Sequence, residues 1–351
     1  MSSPPIKVFL VEDSPVALKI LENLLAESSD ISVAGTACNG IEALDKIPKA
    51  QPDVICTDLL MGKMDGLELT QQIMAKYPRP ILIISQAVEG HTSDMAVRLL
   101  KAGAIDIFAK PKSGLEEDYK TAQTALIHKI KILAGVKVFT KPIKPALVYP
   151  QSSSLAQPLP PSIPGAYKIL AIGASTGGPQ AIQKILGQLP AHFPLPVVCI
   201  QHISEGFLAS LANWMNSECA LTVKIAEERE SLQPGQVYFA PEKHHLLIDR
   251  YGCCFYSQAA PVGGHRPSID MTFESLAQVY GKGTIAALLT GMGRDGADGL
   301  KAIAQMGGLT IAQDEASSII YGMPQEAVRL GAARQVLDID AIAPFILKSL
   351  K

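Results

Sequence analysis

Short apolar runs recur along the whole chain, each of strand length and none with helical periodicity. They are Ile6–Val11, Val54–Thr57, Ile81–Ile84 and Ile105–Phe108, then 168–172, 197–200, 237–240, 284–289 and 309–312. Runs that do not alternate apolar with polar residues suit strands buried on both faces, the condition of a parallel sheet sandwiched between helices. Between them lie helical patterns, such as Leu18, Leu21 and Leu25 after the first run and segments 179–187, 268–280 and 298–305 further on. The predicted fold class is therefore α/β, with two doubly wound parallel sheets. In such sheets the carboxyl ends of the strands share one edge, where ligands bind. The residues just past each apolar run are therefore the candidates for chemistry.

At 351 residues the chain has room for two domains of about 100–200 residues each. Pro142, Pro145, Pro150, Pro158, Pro160, Pro161 and Pro164 are interspersed with Ser152, Ser153 and Ser154. Such a stretch holds neither a helix nor a strand ladder and reads as a semi-extended spacer. The expected organisation is a first domain at 1–125, a Pro/Ser-rich linker at 126–165 and a second domain at 166–351. Net charge is −2, with 18% charged and 48% hydrophobic residues and no basic stretch, which argues against nucleic acid as a partner. No apolar run approaches the roughly 20 residues of a membrane helix, so no membrane insertion is expected. Six scattered cysteines without a C-x-x-C pair read as reduced thiols of a cytoplasmic protein.

In the second half, three runs each end on a different reactive residue: Ser175, His202 and Asp295. The segment from Gly173 to Pro179 leaves a strand and opens a helix with the pattern G-x-S-x-G, a nucleophile elbow whose backbone amides can stabilise an oxyanion. The same glycines could instead cradle a nucleotide phosphate, although the loop holds no lysine. His202 ends the next strand run and can serve Ser175 as general base. Asp295, in the glycine-rich loop from Thr290 to Gly299, can orient the imidazole; Asp298 is the rival for that role, but its position suits capping the following helix. Arg266 suits recognition of a carboxylate-rich partner, with loop packing as the other reading. His244 and His245 are adjacent, but successive strand residues face opposite sides, so one shared metal ion is not expected.

In the first half, Glu12 and Asp13 follow the first run, Asp58 a later one, then Ser85, and Lys110 the last. Carboxylates gathered at one sheet edge suit Mg²⁺, and a carboxylate neutralised by it can attack a phosphoryl group. Lys110 would pair with the incoming phosphate and Ser85 would hydrogen-bond it.

Residues 5–125 resemble the receiver domain of two-component response regulators, a flavodoxin-like fold. The resemblance implies that Asp58 is the phosphoacceptor, that Asp13, Asp58 and the Leu60 carbonyl bind Mg²⁺, and that Glu12 acts through water. Gly62 stands where these domains usually carry proline, and Ile107 where they carry an aromatic residue, with Phe108 one place later. Gly-Ala-Ser-Thr-Gly-Gly at 173–178, Gln201-His202, His265-Arg266-Pro267-Ser268 and the 290–299 loop, behind such a receiver, resemble the chemotaxis protein-glutamate methylesterases of the CheB family, with a Rossmann-like catalytic domain. The resemblance implies a Ser175, His202 and Asp295 triad, with Thr176 and the Met292 amide lining the oxyanion region. It further implies hydrolysis of glutamate methyl esters, and deamidation of glutamines, on chemoreceptors, without a cofactor for the esterase step. A chemotaxis histidine kinase would be the phosphodonor, and the unphosphorylated receiver would block the esterase. A receiver-linked transcription factor is the competing architecture, but no helix-turn-helix pattern comes after the spacer.

Overall fold

The computed structural model describes residues 4–85, 91–110, 116–138 and 167–351. The proline-rich stretch from 141 to 165 lies outside the described residues. The chain divides into two compact units, one built from each half.

The first unit runs β1 (Ile6–Val11), α1 (Pro15–Ala26), β2 (Ile31–Ala37), α2 (Gly40–Ala50), β3 (Val54–Thr57), α3 (Gly66–Lys76), β4 (Ile81–Ser85), α4 (His91–Ala102), β5 (Asp106–Ala109) and α5 (Glu116–Leu133). Its five strands are parallel in the order β2-β1-β3-β4-β5. β3 is buried along its whole length and so is most of β1, as their unbroken apolar sequences require. Short polar side chains start the helices: Ser14, Asn39 and Asp65 accept backbone N–H groups of the first turns of α1, α2 and α3. α5 continues to Leu133, so helix rather than spacer occupies the first residues beyond the expected boundary at 125.

The second unit runs β6 (Ile169–Ala174), α6 (Gly178–Leu186), β7 (Val197–Gln201), α7 (Leu208–Glu218), β8 (Thr222–Ile225), β9 (Gln236–Phe239), β10 (His245–Ile248), β11 (Cys254–Ser257), α8 (Ile269–Tyr280), β12 (Thr284–Leu288), α9 (Ala297–Gln305), β13 (Leu309–Gln313), α10 (Met323–Arg329), β14 (Gln335–Leu337) and α11 (Ile339–Ser349). Seven parallel strands lie in the order β14-β13-β12-β6-β7-β9-β8, and β10 and β11 form a separate antiparallel hairpin. The chain starts in the middle of the sheet at β6, winds outward through β7, and returns on the other side at β12. This makes the carboxyl end of β6 a switch point, where a crevice opens between diverging connections. Ile269, Phe273 and Leu276 of α8 and Leu288 of β12 share one fully buried core beneath that edge. Each such side chain contributes about 1.5–3 kcal/mol by leaving water.

Candidate active site and phosphoacceptor site

The register of β6 against β7 pairs Gly173 with Ile200 and Ala174 with Gln201, so Ser175 and His202 emerge side by side past the last rung. His202 N–H donates to the Ala174 carbonyl at 3.0 Å, closing that ladder. On the other flank Ser175 N–H donates to the Thr290 carbonyl at 3.0 Å, which ties the nucleophile elbow to the loop after β12. Gly291 allows this approach, because a Cβ there would lie 2.6 Å from the Ser175 Cβ.

That loop carries Asp295 inward to a buried position, 8% exposed. Its carboxylate accepts from His202 Nε2 at 2.9 Å, Ser268 Oγ at 2.8 Å, Ile269 N at 2.8 Å and Asp270 N at 3.0 Å. Burial alone would raise its pKa. The imidazole's hydrogen bond and charge, with the two amides, outweigh that and hold the carboxyl well below the usual range. Two of the donors are amides at the N-terminus of α8, where the helix dipole also favours an anion. With Nε2 committed to Asp295, His202 Nδ1 is buried and has no hydrogen-bond partner. It is the nitrogen left to take a proton. The His265 ring stacks flat on the His202 ring, 3.9 Å between centroids and 2° between planes, and limits its rotation.

The candidate oxyanion donors are narrowed by what is already used. The amide of Ser175 is spent on Thr290, whereas no described residue accepts from the amide of half-buried Met292. Thr176 is buried, and its carbonyl accepts from Thr290 Oγ1 at 3.0 Å. Arg266 is exposed, and among the described residues its guanidinium reaches the Ala259 carbonyl alone, at 3.4 Å. Loop packing is the reading this contact favours.

Asp298 does not cap α9. The residue before α9 is Gly296, without a side-chain cap, and Asp298 lies inside the first turn in a bidentate ion pair with Arg294 at 2.7 and 2.9 Å. The acceptor comes from the neighbouring helix: Asp270 Oδ1 takes the Gly299 N–H at 2.7 Å. The N-termini of α8 and α9 thus interlock, each helix start facing an acid carried by the other segment. Burial, with the charges of Asp295 and Asp298 and against the Gly299 amide, pushes the Asp270 carboxyl up to about 7. His244 and His245 have separate surroundings. The His244 ring stacks on Tyr256, while fully buried His245 meets the Ala260 carbonyl and the Ser268 amide.

In the first unit, β1 and β3 end together at the other switch point. Asp58 N–H donates to the Val11 carbonyl, and the ligand oxygens of Glu12, Asp13 and Asp58 lie within 4.8 Å of one another. Three hard oxygen donors at this spacing fit a divalent cation such as Mg²⁺. Lys110 Nζ bridges Glu12 at 2.6 Å and Asp58 at 2.8 Å. Burial opposes its charge, but the hydrogen bonds and charges of Asp58 and Glu12 prevail and keep the ammonium above its ordinary pKa. Burial, with the Asp58 charge, likewise raises the Glu12 carboxyl against the pull of Lys110. Lys110 N–H donates to the Ser85 carbonyl at 2.7 Å, which brings buried Ser85 to the same edge. Gly66 is required, since a Cβ there would lie 2.2 Å from the Asp58 carbonyl, whereas nothing lies within 4 Å of one at Gly62. The structure thus leaves room for a side chain at Gly62. Ile107 and Phe108 are both buried.

Four partners of the candidate triad escaped sequence reading. Ser268 carries a helix-start signal, but nothing along the chain says that its hydroxyl also reaches Asp295. The two α8 amides have no side-chain signature, and the His265 stack joins residues far apart in the chain. Among the described residues no helix is long and apolar enough to cross a membrane.

Comparison with known proteins gives independent matches to both halves. A family model described as CheB methylesterase matches residues 170–346, and one described as response regulator receiver domain matches residues 8–117. Curated relatives named protein-glutamate methylesterase/protein-glutamine glutaminase include one from Nitrosospira multiformis, 39% identical over 96% of this chain and 95% of its own length. A second, from Methanospirillum hungatei, is 40% identical over 97% of each chain. Among solved structures, the CheB methylesterase catalytic domain of Thermotoga maritima is 38% identical, covering 52% of this chain and 98% of that one at a TM-score of 0.51.

Proposed function

Since the chain belongs to the CheB family of receiver-linked protein-glutamate methylesterases, we propose that it hydrolyses glutamate γ-methyl esters, and deamidates selected glutamines, on methyl-accepting chemoreceptors in the cytoplasm. The observation that carries this reading is the Asp295 carboxylate with four donors, one of them the imidazole whose opposite nitrogen has no partner.

His202 Nδ1 takes the proton of the Ser175 hydroxyl as its oxygen attacks the ester carbonyl, and Asp295 stabilises the imidazolium that forms. The tetrahedral oxyanion lies toward the Met292 amide and the elbow beside Thr176. The imidazolium returns its proton to the leaving methoxide, methanol departs, and water repeats the sequence on the acyl-enzyme to give glutamate. A side-chain amide presents the same carbonyl, with ammonia leaving instead.

Control falls to the receiver. Asp58 accepts a phosphoryl group from a chemotaxis histidine kinase, and Lys110 and Ser85 contact its oxygens. Glu12, Asp13 and Asp58 would hold Mg²⁺, which when bound neutralises the charge that builds up between carboxylate and phosphate. Phosphorylation raises the esterase rate.

Methanol release from methylated receptor, with and without a small phosphodonor, tests both parts. Wild type releases methanol faster with the donor, Ser175→Ala loses about 10⁵–10⁶ in kcat, and Asp58→Asn no longer responds to the donor. Full activity in Ser175→Ala refutes the esterase reading.

A further inference from the structure

Gln201, the last residue of β7, is 4% exposed, and its one amide nitrogen donates to two carbonyls, those of Ser175 and His202, each at 2.8 Å. Both protons of the –NH2 group are used, one on each of the two residues between which the catalytic proton passes. The orientation of the amide is fixed by these partners. Exchanging oxygen for nitrogen would place an acceptor against two carbonyl oxygens.

The strand ladder explains why a side chain is needed here. Backbone pairing of β6 and β7 ends with His202 N–H on Ala174, and one residue later no backbone bond joins the two chains among the described residues. The Gln201 amide supplies the missing rung at the point where the nucleophile and the base leave the sheet. Room is reserved for it. A Cβ at Gly178 would lie 2.0 Å from Gln201 Oε1, so any larger residue at the start of α6 would displace the amide. Ser175's carbonyl also accepts the Gly178 N–H at 2.8 Å, and so the elbow turn and the glutamine converge on one oxygen. The glutamine's own Oε1 is buried without a partner, an arrangement that general packing would not select.

We propose that Gln201 is a positioning residue for the hydrolysis, holding Ser175 and His202 at a fixed separation through their backbones while touching no substrate. The proposal rests on the esterase reading above. An error of about 1 Å between reacting groups costs on the order of 10²-fold in rate, so loss of the rung falls on kcat and leaves receptor binding alone.

Methanol release from methylated receptor by wild type, Gln201→Met and Gln201→Glu, measured across pH with melting temperatures alongside, tests it. Methionine keeps the shape and abolishes both donors, and it also removes the unpartnered buried oxygen. The expected result is a kcat about 10–100-fold lower, KM within twofold of wild type, and a melting temperature no lower. Glutamate sets a carboxylate against two carbonyls and loses more, but its protonated form regains one donor. The Gln201→Glu to wild-type rate ratio therefore rises as pH falls, while the methionine ratio stays flat. Gln201→Met with kcat within twofold of an active wild type overturns the positioning role, as does a loss confined to KM or a flat glutamate ratio. An inactive wild type instead overturns the esterase reading, and this inference with it.

Discussion

Both units place an aspartate at the switch point of a doubly wound sheet, yet they hold it in opposite ways. Asp58 sits half-buried among like charges, Glu12 and Asp13, with one cation, Lys110, shared between it and Glu12. Among the described residues, Asp295 is buried without a lysine or arginine partner, surrounded by neutral donors and one imidazole. An acid that must react keeps a displaceable partner and an unmet demand for positive charge. One that must orient a neighbour is saturated and immobile. With the roles proposed above, the same fold position gives a reactive carboxylate or an inert one, according to whether its donors can leave.

Removing the saturated acid should break the comparison most severely. Asp295→Asn leaves the shape but turns a donor toward Nε2, favouring the wrong imidazole tautomer, and kcat for methanol release should fall by about 10³–10⁴-fold. Weakening the same carboxylate by one donor sharpens the point. Ser268→Ala should lower kcat for methanol release roughly tenfold, the equivalent of about 1.5 kcal/mol for a hydrogen bond to a charged group.

On the receiver side, Gly66→Ala drives a methyl into the Asp58 carbonyl. It should cost about 1–3 kcal/mol of that unit's stability and slow phosphorylation from a small donor, both readable by denaturation and phosphoryl incorporation. A pH-dependent effect concerns Asp270. Its folded pKa, about 7, lies above the unfolded carboxylate value of about 3.9, so the fold disfavours its charge. Its contribution to stability is present at acid pH and is lost as pH rises from about 4 through 7. Asp270→Asn keeps an acceptor for Gly299 without the charge, and its melting temperature relative to wild type should rise between pH 5 and pH 8. A falling difference would show that the charge is stabilising instead.

The architecture was legible wherever strands are buried on both faces, since an unbroken apolar run such as Val54–Thr57 or 197–200 can be little else. It failed at edges. β2 is half exposed, with Ser32, Gly35 and Thr36 breaking up its apolar residues, and the β10–β11 hairpin is too short to give a pattern. That Ser175, His202 and Asp295 would come to one rim was legible because each comes after a strand, and strand ends converge. Their supports were not, because they come from geometry between elements. Asp298 looked like a cap by position, but the acceptor for α9 arrives from Asp270, a residue 29 positions earlier in the chain. Gln201 stood in a recognisable pair with His202, yet its role depends on where β6 stops pairing.

The account depends most on Asp295 remaining charged and clamping one nitrogen of His202, leaving the other as base. Nitrogen NMR of the histidine rings in the intact protein at neutral pH reads this directly. The prediction is a protonated Nε2 and an unprotonated Nδ1 for His202, with the Nε2 proton far downfield and lost in Asp295→Asn. A His202 ring carrying its proton on Nδ1, unchanged by that substitution, would contradict it.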